Sequence, residues 1–84
     1  MDEMTVQETL SVLNAFGGTP IEETTLRRYV NQRLAVPLPI VEYSHELQSM
    51  KAKGWVNCRE NSFRKNLWFA TEKGLAQLQE MTRG

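Results

Sequence analysis

The stretch Leu47-Gln48-Ser49-Met50-Lys51-Ala52-Lys53-Gly54-Trp55-Val56-Asn57-Cys58 decides the fold, because the chain changes its period at Gly54. Upstream, at about 100° per residue, Ile40, Tyr43, Leu47 and Met50 share one side of a helix, while Glu42, His45, Glu46, Ser49 and Lys53 share the other. Downstream, Trp55, Val56 and Cys58 read as a short extended run. Gly54 between them is a natural left-handed stop, so an amphipathic helix runs almost directly into a strand.

Working outward toward the C-terminus, Arg59 to Asn66 is polar and Leu67-Trp68-Phe69-Ala70 is apolar again. The two apolar runs predict a β-hairpin whose loop lies around Asn61-Ser62. Thr71 is suited to cap a last helix, Glu72 to Met81, with Leu75, Leu78 and Met81 on its buried stripe. Working back, Val36-Pro37-Leu38-Pro39 breaks any helix, since each proline pushes the residue before it into an extended conformation. Pro39 fits the first turn of the helix that reaches Lys53. A preceding helix spans Glu22 or Thr24 to Leu34, with Leu26, Val30 and Leu34 inside and Arg27, Arg28 and Arg33 on its exposed face. Thr5 with Glu8 is a capping-box pattern, and Val6, Leu10, Leu13 and Phe16 place the first helix over Thr5 to Phe16, ended by Gly17-Gly18. The order is helix, helix, helix, strand, strand, helix, an α+β arrangement expected to form one domain over residues 1–84.

Composition narrows the function classes. The apolar content of 40% in 84 residues suits one small core. The longest apolar stretch, Leu34 to Val41, is broken by two prolines and is far short of the roughly 20 residues that span a bilayer. Asp2 and Glu3 stand where a signal peptide carries Lys or Arg, so the chain is expected to stay in the cytoplasm. One cysteine and one histidine supply neither an internal disulfide nor a four-ligand zinc site. Cys58 and His45 lie on different elements with no orienting third group, and the five glycines form no phosphate-binding loop. Neither an enzyme, nor a cofactor, nor a metal is expected. The net charge is zero, yet residues 1–23 carry five carboxylates and no Lys or Arg, and all ten basic residues follow. That asymmetry permits nucleic-acid binding without requiring it.

Two segments carry a family resemblance. Leu47-Gln48-Ser49-Met50-Lys51-Ala52-Lys53-Gly54-Trp55-Val56 resembles the end of a recognition helix running into a first wing strand. Trp68-Phe69-Ala70-Thr71-Glu72-Lys73-Gly74-Leu75-Ala76-Gln77-Leu78 is similar to the "Y-x-L-T-x-x-G-x-x-x-L" segment of MarR-like and PadR-like regulators. The chain thus looks like a winged helix-turn-helix: three helices, a β-hairpin wing and a C-terminal helix. Ala70, where the pattern carries Leu or Ile, and the prolines between the second and third helices depart from it.

The resemblance implies binding of double-stranded DNA, with the third helix in the major groove and the wing on the backbone or minor groove. Basic side chains must then neutralise phosphates and polar ones reach base edges. Arg27, Arg28, Arg33, Lys51, Lys53, Arg59, Arg64 and Lys65 are the phosphate candidates; His45 and Ser49, with Glu42 and Glu46 less suited, are the base-edge candidates. One half-site per chain implies a homodimer, with the first and last helices as its surfaces. The residues themselves leave a second reading open. Glu42 and Glu46 on the third helix would face phosphate repulsion, and they equally suit a solvated surface with local pairs such as Glu46 with Lys53. Alternation places Trp68 and Ala70 inward and Leu67 and Phe69 outward, so with Phe63 the hairpin offers an apolar interface for a second copy or a heterologous protein, unless a terminal helix covers it. Trp55 and Trp68 are expected in the core.

Overall fold

The computed structural model describes residues 2–83. Its elements are α1 (Glu3–Ala15), β1 (Ile21–Glu22), α2 (Glu23–Asn31), α3 (Ile40–Ala52), β2 (Val56–Glu60), β3 (Asn66–Ala70) and α4 (Glu72–Arg83). This is the expected winged-helix order with one addition, a short first strand. The sheet is antiparallel in the order β1-β3-β2.

Helix α1 begins two residues earlier than the capping-box pattern predicts. Asp2 is the cap: its carboxylate accepts from the Met4 N–H at 3.1 Å and from the Thr5 hydroxyl at 3.3 Å. Both a carboxylate and a threonine hydroxyl can accept from an orphan amide, but only the carboxylate carries the charge that complements the helix dipole. Thr5 is therefore free to be buried with Thr9 on the inner face. The Thr9 hydroxyl pairs at 2.8 Å with the fully buried Tyr43 hydroxyl of α3, joining the two helices through the core. Burial pushes the Tyr43 phenol well above its ordinary pKa, and the Thr9 bond opposes this only in part.

Ile21 and Glu22, read from sequence as a turn and a helix start, pair with Trp68 and Leu67 and cover the outer edge of β3. Two residues are too few for a periodicity to register, which is why the strand is silent in the sequence. The central Trp68 is fully buried and its indole N–H donates to Glu23 Oε1 at 3.0 Å, fixing the sheet to the start of α2. Around it Leu10, Leu26, Val30, Tyr43, Leu47, Met50 and Val56 complete the core.

Helix α3 ends in a Schellman motif. The Gly54 N–H donates to Lys51 C=O at 2.9 Å and the Trp55 N–H to Met50 C=O at 3.0 Å, with Gly54 at φ +80°. The next junction is tied to this one. The Thr71 hydroxyl accepts from the Gly74 N–H at 3.0 Å, capping α4, and donates to Gly54 C=O; the Thr71 N–H donates to Trp55 C=O at 3.0 Å. Gly74 is buried against Trp55, so closely that a Cβ there would lie 1.9 Å from the Trp55 carbonyl oxygen. The two sequence segments that carry the resemblance are thus one physical joint. It sets the angle at which the hairpin leaves α3.

Three packing expectations change. Ile40 is not on the core face but 60% exposed, because α3 starts at the surface with Pro39 as its cap. Trp55 is half-buried at the core edge, with Lys53 Nζ 5.3 Å from its ring centroid, and that contact takes the place of the expected Glu46–Lys53 pair. Leu67 and Phe69 are half-buried: Leu67 sits between Glu22 and Arg59 in register, and the Arg59 guanidinium lies 5.6 Å from the Phe69 ring.

Candidate functional site

The helix-turn-helix is α2, residues 32–39 and α3. Helix α2 stops at Asn31, three residues before the expected Leu34, because Asn31 turns its side chain to the connection. Both backbone groups of Leu38 are held by it: the Leu38 N–H donates to Asn31 Oδ1 at 3.0 Å, and Asn31 Nδ2 donates to Leu38 C=O at 3.2 Å. Arg27 Nη1 donates to the same carbonyl at 3.2 Å. Flanked by two prolines that lack an N–H, Leu38 is the point from which this long turn is fixed.

That bracing sorts the sequence-predicted cations. Arg27 is half-buried and engaged with the turn. Arg33 lies beyond the end of α2 and pairs with Glu8 of α1, Nη1 to Oε2 at 3.4 Å. Both therefore brace the frame. Arg28 stays exposed on α2, beside a shallow depression of about 300 Å³ shared with Thr24, Asn31 and Gln32.

On α3, Glu42, His45, Gln48, Ser49 and Ala52 are exposed in the i, i+3, i+4, i+7 spacing of one face. Gln48, three residues after His45, was legible by that spacing and complements the expected His45 and Ser49. Glu46 is half-buried with Oε2 shielded from solvent and without a hydrogen-bond partner, so of the two carboxylates only Glu42 stands fully on the exposed face. At the C-terminal end, where the helix dipole favours cations, Lys51 Nζ approaches Cys58 Sγ at 3.7 Å and Lys53 covers Trp55. These two ammonium groups lie at the base of the hairpin. Cys58 is half-buried there.

The hairpin tip is ordered by Asn61, whose side-chain oxygen accepts from the Phe63 N–H at 2.9 Å and the Lys65 N–H at 3.0 Å. Arg64 adopts φ +60°, the left-handed region, to complete the turn. Phe63, Arg64 and Lys65 are all exposed, Phe63 by 80%. Arg59 is exposed on β2.

The structure thus brings Lys51 and Lys53 to the base of the hairpin, leaves Arg59 on β2 beside Phe69, puts Arg64 and Lys65 at the tip, and sets Arg28 on α2. Among the described residues no group of three His, Cys, Asp or Glu could hold a metal ion, and no helix is long and apolar enough to cross a membrane. Sequence reading missed one feature altogether. Val36, Ile40 and Val41 are 76%, 60% and 67% exposed, an apolar group at the turn and the first residues of α3.

No protein-family model matches the chain, and no curated protein matches it. Solved structures do. A winged-helix DNA-binding protein from STIV is similar over 99% of this chain and 88% of its own, with 20% identity and a TM-score of 0.81. A MarR-family transcriptional regulator from Silicibacter pomeroyi matches over 96% of this chain with 20% identity and a TM-score of 0.75. The transcriptional regulator BldR from Sulfolobus solfataricus matches over 90% with 23% identity and a TM-score of 0.61. This chain spans 52% of the length of each of the latter two. At these identities the likeness is one of fold.

Proposed function

We propose that this winged helix-turn-helix chain binds double-stranded DNA as a transcriptional regulator, with α3 in the major groove and the hairpin as the wing on the backbone. The observation that carries the reading is the separation of its cations into two sets. Arg27 and Arg33 brace the helix-turn-helix, while Arg28, Lys51, Lys53, Arg59, Arg64 and Lys65 form no ion pair with a carboxylate among the described residues. Phosphate neutralisation needs cations of the second kind on a frame held by the first. His45, Gln48 and Ser49 are the polar side chains presented for base edges. The described neighbours of this fold, a winged-helix DNA-binding protein and transcriptional regulators, support the same reading.

A two-fold partner would supply the second half-site. Its surface is the strip between α1 and α4, where Met4 is 51% exposed and a groove of about 180 Å³ is lined by Glu3, Val6, Trp55, Gln77 and Met81. Light scattering tests this directly: a dimer mass is expected, and a monomer at all concentrations rejects it.

The exposed Phe63 favours a second reading, a protein-interaction module docking through the hairpin. Titration of the protein into labelled random-sequence duplex at two salt concentrations separates the two. Binding that weakens steeply with salt supports the DNA reading; absence of binding at low salt rejects it.

A further inference from the structure

The apolar group at the start of α3 has no role in the fold. Val36, Ile40 and Val41 together expose most of their side chains within six residues, whereas the other exposed large apolar residues, Met4, Tyr29 and Phe63, stand singly along the chain. Residues 24–41 contain Arg27, Arg28 and Arg33 and no carboxylate, with Arg33 paired to Glu8 and Glu42 following Val41. On the helix that the reading above puts in the major groove, beside the exposed His45, Gln48 and Ser49, an apolar group suits a polyanion that itself presents apolar groups. In the major groove of DNA the thymine C5-methyl is that group, whereas every other base-edge feature there is a donor or an acceptor that Val and Ile cannot satisfy.

Resting on the DNA-binding reading above, we infer that Val36, Ile40 and Val41 determine sequence preference by packing against thymine methyl groups in the major groove. The turn that carries Val36 is fixed through Leu38 to Asn31 and Arg27, and Ile40 and Val41 sit on the first turn of a regular helix. The backbone that carries the three side chains is therefore braced before binding. This preorganisation is what allows so small a group as a methyl to be read. Each methyl contacted contributes about fourfold in affinity, the transfer value of one buried carbon.

The test begins with a random 20-base-pair library selected by the full chain, the enriched pool then being amplified with dTTP or with dUTP in its place. Uracil keeps the pairing and the O4 acceptor and lacks only the methyl. The expected result is weaker binding of the uracil pool by about fourfold to 15-fold at one salt concentration, for one or two methyls contacted. In the triple variant Val36→Ser, Ile40→Ser and Val41→Ser the two pools bind equally and the salt dependence is unchanged. All three substitutions are at exposed positions, so folding is retained. An enriched pool that binds equally well in both forms overturns the inference, as does a wild-type preference that survives in the triple variant, since the latter would arise from DNA stiffness alone. Salt-dependent binding without enrichment also overturns it while leaving the DNA-binding reading intact. Absence of any salt-dependent binding to the starting library overturns both.

Discussion

Replacing Gly74 by alanine puts the joint between α3, the hairpin and α4 under direct stress. Helix propensity alone predicts a gain of up to about 1 kcal/mol for Gly→Ala within a helix. The structure predicts the reverse. The new Cβ would lie 1.9 Å from the Trp55 carbonyl oxygen and 2.8 Å from its carbon, so about 1.5 Å of separation must be found to reach ordinary contact. The obstructing atoms are backbone, and the same oxygen accepts from the Thr71 N–H. Overpacking costs about 1–3 kcal/mol, and loosening the Thr71 bond and cap adds about 1–2 kcal/mol. After the propensity gain the net loss is about 1–4 kcal/mol. An 84-residue chain has a total of about 4–13 kcal/mol, so Tm should fall by roughly 4–30 °C. Urea unfolding followed by tryptophan fluorescence measures the loss, with Ala76→Gly at an exposed position of α4 as the control, expected to lose about 1 kcal/mol. A Gly74→Ala variant as stable as the parent, or more stable, would refute the reasoning.

Other consequences follow from the core and the wing. Because burial raises the Tyr43 phenol above its unfolded value near 10, the unfolded chain releases that proton first, and stability must fall as pH rises above about 10, by up to about 1.4 kcal/mol per pH unit. Tyr43→Phe should flatten this alkaline limb in urea titrations while costing about 1–3 kcal/mol at neutral pH through the stranded Thr9 hydroxyl; an unchanged limb would contradict the assignment. The double variant Arg64→Gly with Lys65→Gln keeps the left-handed turn and removes two tip cations, so the slope of log affinity against log salt should become shallower by about 1.8. No change in slope would remove the wing from the DNA interface. Asn31→Ala deletes both side-chain bonds to Leu38 and should cost about 1–2 kcal/mol and weaken DNA binding more than Gln32→Ala, which leaves the turn intact; equal effects would show that the turn does not depend on Asn31.

The parts of the fold legible in the sequence are those where a period or a punctuating residue is unambiguous. Gly54 ends α3 as a left-handed cap, Thr71 caps α4, and Leu47 and Met50 face the core, all because local chemistry and tertiary packing agree there. The misplacements arise where a long-range partner decides. Asp2 outcompetes Thr5 as a cap because the fold buries Thr5; α2 ends at Asn31 because Leu38, seven residues on, occupies its amide; and β1 exists only because β3 offers an edge. Ile40 fits a core stripe by spacing and is exposed because α3 begins beyond the edge of the core, a fact of tertiary placement. The candidate site divides in the same way. Residue type identifies every cation, but only the structure shows Arg27 bound to Leu38 and Arg33 to Glu8 while Arg28, Arg64 and Lys65 stand exposed.

The central claim is that Arg28, Lys51, Lys53, Arg59, Arg64 and Lys65 meet phosphates. Fluorescence anisotropy of a labelled random-sequence duplex, titrated with the purified protein over a series of salt concentrations, tests it most directly. If four to six phosphates are neutralised per chain, log affinity falls against log salt with a slope of about −4 to −5 per chain bound. No binding at low salt, or binding indifferent to salt, would contradict the account and turn attention to the hairpin as a protein-docking surface.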